Sequence, residues 1–560
     1  MVKRFGFFAG MLILLVAGQS ASSQSLTLAD VQTVIAQAVS TAVSMNQRVT
    51  VSVTDKEGHL LGTFVMTGAP ANTLIRSVGR AGQGLENLSV PSTAASYSKA
   101  ATGGLLSAGG NAFTTRTASF IIQEHFPPGI DNTSGGPLYG VQFSTLLCSD
   151  VAVAGLPLGL SGDPGGMPLY KNGVAVGGVG VEGDGLYTVD RDPMDNDQPV
   201  EETIAVAASR GFEAPVLIRA DNILVGGIRL PYANVTSTPI VPTIPFASLP
   251  GAVTSPVIAT PTSDFIPATL NGVSGQFSTR FPIVGGTNLT AAEVTAILGA
   301  AAGYANITRA GIRQPIGSNA RVTMSVVDTN GKVLGIFRQL DAPVFGLDVS
   351  VQKARTANFF ALSSAGAELT TAGFGGYRTR ANADGLPLNG GIAFSARGFG
   401  FLHRPLFPDG INNSQAGPFS TQLADWSPFN DGLQLDLIKA ALTTPCAPPA
   451  PVKGSLRDVR GDARAARRRI AARAAAACPC TAIPELPNGI QIFAGGIPLY
   501  RGTTLVGAIG VSGDGIEQDD LISAGGANAF APPAGVRSDQ IFVRGVRLPF
   551  LKFPARPFID

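Results

Sequence analysis

The block GGMPLYKNGVAVGGVGVEGDG, beginning at Gly165, returns as GGIPLYRGTTLVGAIGVSGDG, beginning at Gly495. A chain that repeats one long pattern reads as two copies of one domain, so any site must be sought in both. Further pairs follow in the same order: RVTVSVTDKEGHLLGTF from Arg48 with RVTMSVVDTNGKVLGIF from Arg321, FPPGIDN from Phe126 with FPDGINN from Phe407, and IRLPY from Ile228 with VRLPF from Val546. Spacing drifts between them, as insertions and deletions require, which fits tandem domains rather than a short-period solenoid. The 560 residues suffice for two large cores. Charged residues are only 14% of the chain and the net charge is +2, which gives no global electrostatic attraction to nucleic acid.

The organisation read from these blocks is a signal peptide over 1–23, a first domain over 24–232, a Pro/Thr/Ser-rich semi-rigid linker over 233–286, and a second domain over 287–560 with an insertion at about 447–480. Lys3 and Arg4 precede a short apolar run and small residues suited to cleavage, so export to the periplasm or beyond is expected, with a retained anchor as the alternative. Four cysteines, Cys148, Cys446, Cys478 and Cys480, suit an oxidising compartment. Cys478 and Cys480 are too close to bridge readily, and a bond from Cys446 to one of them would staple the insertion. Cys-Pro-Cys as half of a metal site is the alternative.

Thr27 and Asp30 form a capping box ahead of Val31, Val34, Ile35 and Ala38 at helical spacing, and Thr290 with Glu293 repeats it. Alternating Val49, Val51 and Val53, the turn at Asp55 to Gly58, and the run Leu60 to Met66 predict a β-hairpin. A second helix is predicted near Ser96 and again near Asp348, placing Lys99 and Lys353 at its head. Asn172-Gly173 predicts the turn of a later hairpin, whose glycine-rich second strand lets a backbone or a ligand approach closely. The alternation lacks a βαβ rhythm, so the fold class is α+β, antiparallel sheets with packed helices.

The order helix, xVSVxDxxGxLL, KAxTA, GGxPLYxxGxxVGxxGVxGDG, then an acidic pair before a small-residue helix resembles the haem-binding GlcG/HbpS-like (haem-degrading domain) family, over most of both copies. The resemblance implies two tandem profilin-like domains, each a five-stranded antiparallel sheet flanked by helices, a tendency to oligomerise, and binding of haem or a related tetrapyrrole, with redox or degrading roles in some members. Arg338 and Asp341 stand where the family usually has its Arg and Asp; the first copy reads Val65 to Ala69 there and lacks both charges.

A haem pocket needs an apolar slot, a cation for the propionates and often an axial donor. The histidines are His59, His125 and His403; the last two are unmatched between copies and stand as axial candidates against an ordinary packed role. Lys99 and Lys353 are matched candidates for a ligand carboxylate, in a pocket beside Gly165, Gly166, Gly495 and Gly496; an internal ion pair is the alternative. Glu201, Glu202, Asp519 and Asp520 suit a helix N-terminus simply as acids. Asp190, Asp192 and Glu201 match positions 1, 3 and 12 of a calcium loop, although Met194 and Asp195 break that pattern and a solvated acidic loop competes with it. Arg457, Arg460, Arg464, Arg468 and Arg473 lie in an Ala-rich insertion whose basic stripe could rest on an anionic surface.

No catalytic motif is present, so an enzyme is the less favoured reading. The function expected is a secreted tetrapyrrole or small-ligand binding protein, with homo-oligomers as potential partners. A structural protein whose duplicated fold forms a pseudo-dimer with a filled pocket is the alternative, and a haem-dependent redox or degrading activity the third.

Overall fold

A computed structural model describes residues 24–192, 195–443 and 479–559. The signal-peptide reading of 1–23, Cys446, Cys478, Met194 and the insertion's arginines lie outside the described residues.

The first half begins with α1 (Leu28–Ser44), whose Thr27–Asp30 capping box is formed in full, followed by the hairpin β1 (Thr50–Asp55) and β2 (Leu60–Met66). Next come α2 (Ser92–Leu105), α3 (Thr115–Ile121), the hairpin β3 (Gly166–Lys171) and β4 (Val174–Glu182), and α4 (Val200–Ala208). Asn172 and Gly173 both have positive φ, 49° and 79°, as a type I′ turn requires. The segment read as a linker contributes strands to both sheets: β5 (Gly251–Ser255) pairs with β2, and the hairpin β6 (Phe265–Leu270) and β7 (Val273–Ser278) extends the other sheet.

The second half repeats the sequence of elements with α5 (Ala291–Ile307), β8 (Val322–Val327), β9 (Val333–Gln339), α6 (Gly346–Phe359), α7 (Ala396–Phe401), β10 (Gly496–Arg501), β11 (Thr504–Gly513) and α8 (Ile516–Ala527). The first sheet has five strands in the order β5-β2-β1-β4-β3, and the second six, β6-β7-β9-β8-β11-β10. The five-stranded expectation therefore holds for one sheet only. The linker hairpin supplies the extra strand.

In each half one helix pair, α1 with α4 or α5 with α8, covers one sheet face, and α2 or α6 covers the other. The glycines of β4 and β11 are what let α2 and α6 sit so close. A Cβ on Gly180 would strike the Ser96 carbonyl, and one on Gly510 the Ser350 carbonyl. The close approach foreseen from the sequence is thus made by a helix backbone.

The halves meet across one apolar cluster that includes Leu105, Phe113 and Tyr139 from the first and Phe359, Phe399 and Trp426 from the second. The Trp426 indole donates to Tyr139 Oη at 2.6 Å, and Asn132 and Asn412 exchange backbone-to-side-chain hydrogen bonds of 3.0 and 3.1 Å. Cys480 bonds Cys148 across the halves, 332 residues away in sequence, instead of closing the insertion with Cys446.

Candidate functional site

The matched lysines do not head their helices. Helix α2 starts at Ser92 and α6 at Gly346, so Lys99 and Lys353 fall mid-helix, fully buried and turned onto the sheet. The helix-dipole argument for anion binding therefore fails, and the internal ion pair takes its place.

Lys99 Nζ lies 2.7 Å from Asp163, 2.9 Å from Glu182 and 2.5 Å from Glu201. Glu201 also accepts from the backbone N–H groups of Gly183 and Asp184, which ties the first turn of α4 to the end of β4. One ammonium thus faces three buried carboxylates. Burial pushes the Glu201 carboxyl up to about 8 and the Asp163 carboxyl well above its ordinary value, although Lys99 pulls both down. Among the described residues these acids are the group of three closest to a metal-ligand arrangement, and the lysine ammonium stands where the cation would be.

The second half carries a reduced version. Lys353 Nζ donates to Asp519 and to the Val511 carbonyl, both at 2.8 Å, and lies 4.6 Å from the centre of the Phe493 ring. In the repeated blocks Phe493 stands opposite Asp163 and Ser512 opposite Glu182, so two acids are replaced. A second pair runs parallel: Arg116 with Glu202, and Arg397 with Asp520. Sequence reading named the helix-start acids but missed Asp163, Glu182 and both arginines. A signal existed in Glu182, the one acid in a strand otherwise built of Val, Ala and Gly.

The glycines beside these centres are closed by packing. A Cβ on Gly166 would strike the Lys99 carbonyl, and one on Gly496 the Lys353 carbonyl. Gly165 and Gly495, at φ 121° and 111°, let the chain pass over Glu201 and Asp519. All four glycines therefore serve packing, which corrects their reading as ligand contacts.

The histidines are also occupied. Buried His125 donates through Nδ1 to the Thr133 carbonyl at 2.8 Å. His403 accepts the Gln434 N–H at Nε2, and burial holds it near 3, hence neutral. His59 pairs with Asp55 at 2.9 Å. The calcium-loop reading fails as well: Asp190 is taken by Arg116 and Glu201 by Lys99, on separate cations.

Arg338 ties its strand to the linker hairpin, and Asp341 joins the halves. Buried Arg338 bonds Gln276 and the Ala342 carbonyl and stacks over Phe265, whereas Asp341, at φ 63°, accepts from the Gly109 N–H and from Arg313. Asp341 also lines a polar cleft of about 500 Å³. Its walls are the β6–β7 turn, the last turn of α5 at Asn306, the Arg313 to Arg321 segment, and Leu340 with Asp341 after β9. Arg313 is clamped between Asp514 and Asp341. The Arg321 side chain makes no hydrogen bond or ion pair among the described residues; burial and the charge of Arg313 push its pKa down. Arg321 therefore presents free guanidinium N–H donors on the cleft, its charge offset at a distance by Asp341 and Asp514. A tetrapyrrole's propionates would meet Arg321 there, but no His, Met, Tyr or Cys lines the cleft to reach an iron.

The raised carboxyl groups carry a pH signature. Glu201 titrates near 8 in the folded chain and near 4.5 when unfolded, and Asp519 near 7 against 3.8. The native state thus holds protons that the unfolded state releases, so this stability is present in full below about pH 4, declines as pH rises, and is gone above about 8. The melting temperature should fall between pH 5 and 9, and Glu201→Gln should flatten that fall. A profile unchanged by the substitution would remove Glu201 as its source.

Residues 462–528 match the family model described as "Haem degrading protein HbpS-like". No curated protein matches. Among solved structures, Klebsiella pneumoniae protein ORFY is similar at 22% identity, over 34% of this chain and 93% of that one, with a TM-score of 0.22. The PduOC:heme complex matches at 20% identity over 34% and 98%, TM-score 0.22. A double mutant of Streptomyces reticuli HbpS matches at 18% over 36% and 97%, TM-score 0.18. At these scores the likenesses carry no argument about function.

Proposed function

We propose that this chain, which matches the HbpS-like family through residues 462–528, is an exported binding protein built from two HbpS-like halves, recognising a small ligand by its carboxylate in the cleft of the second half. The observation that carries this reading is Arg321, a cation without a protein acceptor on a cleft of about 500 Å³, while both lysine centres are internally paired. Haem-related ligands are the class that the family suggests. Export rests on the basic and apolar N-terminus, and the disulfide between the halves is of the kind that persists in an oxidising compartment.

Calorimetric titration of the purified chain with haemin, hexanoate and gluconate tests the reading. Saturable binding of at least one of them is expected at one equivalent, one per Arg321 cleft, and Arg321→Ala should abolish it. No binding of any, or binding indifferent to that substitution, would overturn the proposal. For the first half the sealed Lys99 centre favours the second reading, an architectural copy that completes a pseudo-dimer without a ligand of its own.

A further inference from the structure

We infer that the cleft takes a small hydroxylated monocarboxylate, a sugar acid of about gluconate size, with its carboxylate on Arg321 and its hydroxyls on the amide and hydroxyl groups around it. This rests on the reading of the cleft as the ligand site and names the class of ligand. Three features of the lining lead to it.

The first is charge. Arg313 takes the direct contacts with Asp341 and Asp514, which balance the two guanidiniums as a group, so Arg321 feels those acids only at a distance and its side chain has no direct ion pair among the described residues, which leaves its N–H groups free for one carboxylate. Asp341, on the same wall, repels a second.

The second is hydrogen-bonding capacity. Asn319 donates its amide N–H to Asn306 Oδ1 at 3.2 Å, which leaves Asn319 Oδ1 as an acceptor and the Asn306 amide as a donor. Gln314 donates to the Asn222 carbonyl at 2.9 Å and keeps its Oε1 as an acceptor, and the Ser274 hydroxyl on the opposite wall can do either. A plain carboxylate only accepts, and would leave the Asn319 and Gln314 oxygens facing lone pairs; inorganic phosphate brings one or two hydroxyls at neutral pH, too few and too close together for the spread of groups around the cleft. A hydroxyl both donates and accepts, so it alone satisfies the mixed set. Desolvating such groups without partners is costly, which turns the match into selectivity.

The third is polarity. Of the lining side chains only Val273 and Leu340 are aliphatic, too little for the face of a tetrapyrrole or a fatty chain. The segments that build the cleft are also longer in the second half. Its floor is the Arg313 to Arg321 segment, where the first half passes from α1 to β1 through a few residues at Met45 to Val49, and one wall is the linker hairpin.

The test is calorimetry on the full mature chain with sodium gluconate, hexanoate, inorganic phosphate and haemin, repeated on Arg321→Gln and Asn319→Leu, with a thermal melt of each variant to confirm folding. Gluconate should bind at one equivalent, hexanoate and phosphate about tenfold or more weaker, and Arg321→Gln should cost gluconate about tenfold or more. Asn319→Leu should weaken gluconate and leave hexanoate unchanged. If hexanoate or haemin binds as tightly as gluconate and Arg321→Gln removes it, the hydroxyl inference falls and the carboxylate reading stands. If phosphate alone binds, or nothing does, both fall.

Discussion

Lys99→Met should cost about 3–5 kcal/mol of stability at neutral pH, the usual penalty for removing one partner of a buried ion pair. Three carboxylates, Asp163, Glu182 and Glu201, would remain fully enclosed with no cation. They could stay buried only by taking up protons, so the variant should recover at pH 5 relative to pH 8. The matched Lys353→Met is the control. There a single pair with Asp519 is lost beside an aromatic ring, and a Met side chain packs well against Phe493. Its cost should be clearly smaller and its pH dependence weaker. Urea denaturation of both variants at the two pH values reads the difference, and equal losses would mean that the acids surrounding Lys99 do not set its energetics.

Cys148→Ser should be the second large loss. The bond to Cys480 joins segments 332 residues apart, so it constrains the unfolded chain over more than half its length, an effect of about 6 kcal/mol in chain-entropy terms. The same bond pins the segment ahead of β10 to the loop before β3, beside the apolar cluster shared by the halves. Thermal melts with and without reductant provide the check. Reductant should lower the melting temperature of the parent chain and leave Cys148→Ser unaffected. A further drop in the variant would assign the stability to a different cysteine pair.

Much of the fold was legible because its signals are local. A capping box needs two residues three apart, and both boxes formed; an Asn-Gly turn needs two positive φ values, and the hairpin closed there. The lysine assignment went astray for a reason of the same kind. Pro91 and Phe345 stand at the N-caps of their helices without a side-chain cap, so nothing in the sequence marked the true start, and Lys99 was read about one turn too close to the end. The pocket assignment failed because a glycine pair permits close approach without stating what approaches. Here it is the carbonyl of the lysine itself.

Sequence alone determined the repeated blocks, the mixed α and β content with antiparallel sheets, the matched lysines and the matched acid pairs, since repetition and short-range spacing survive in one dimension. Tertiary structure decided that lysine and acids neutralise each other inside the body, that Cys480 seeks Cys148 across the halves, and that the Arg321 side chain has no direct ion pair among the described residues beside a cleft. Each of these depends on which distant groups fold into one another's range. Charge compensation falls steeply with distance and rises with burial, and neither quantity is written along the chain.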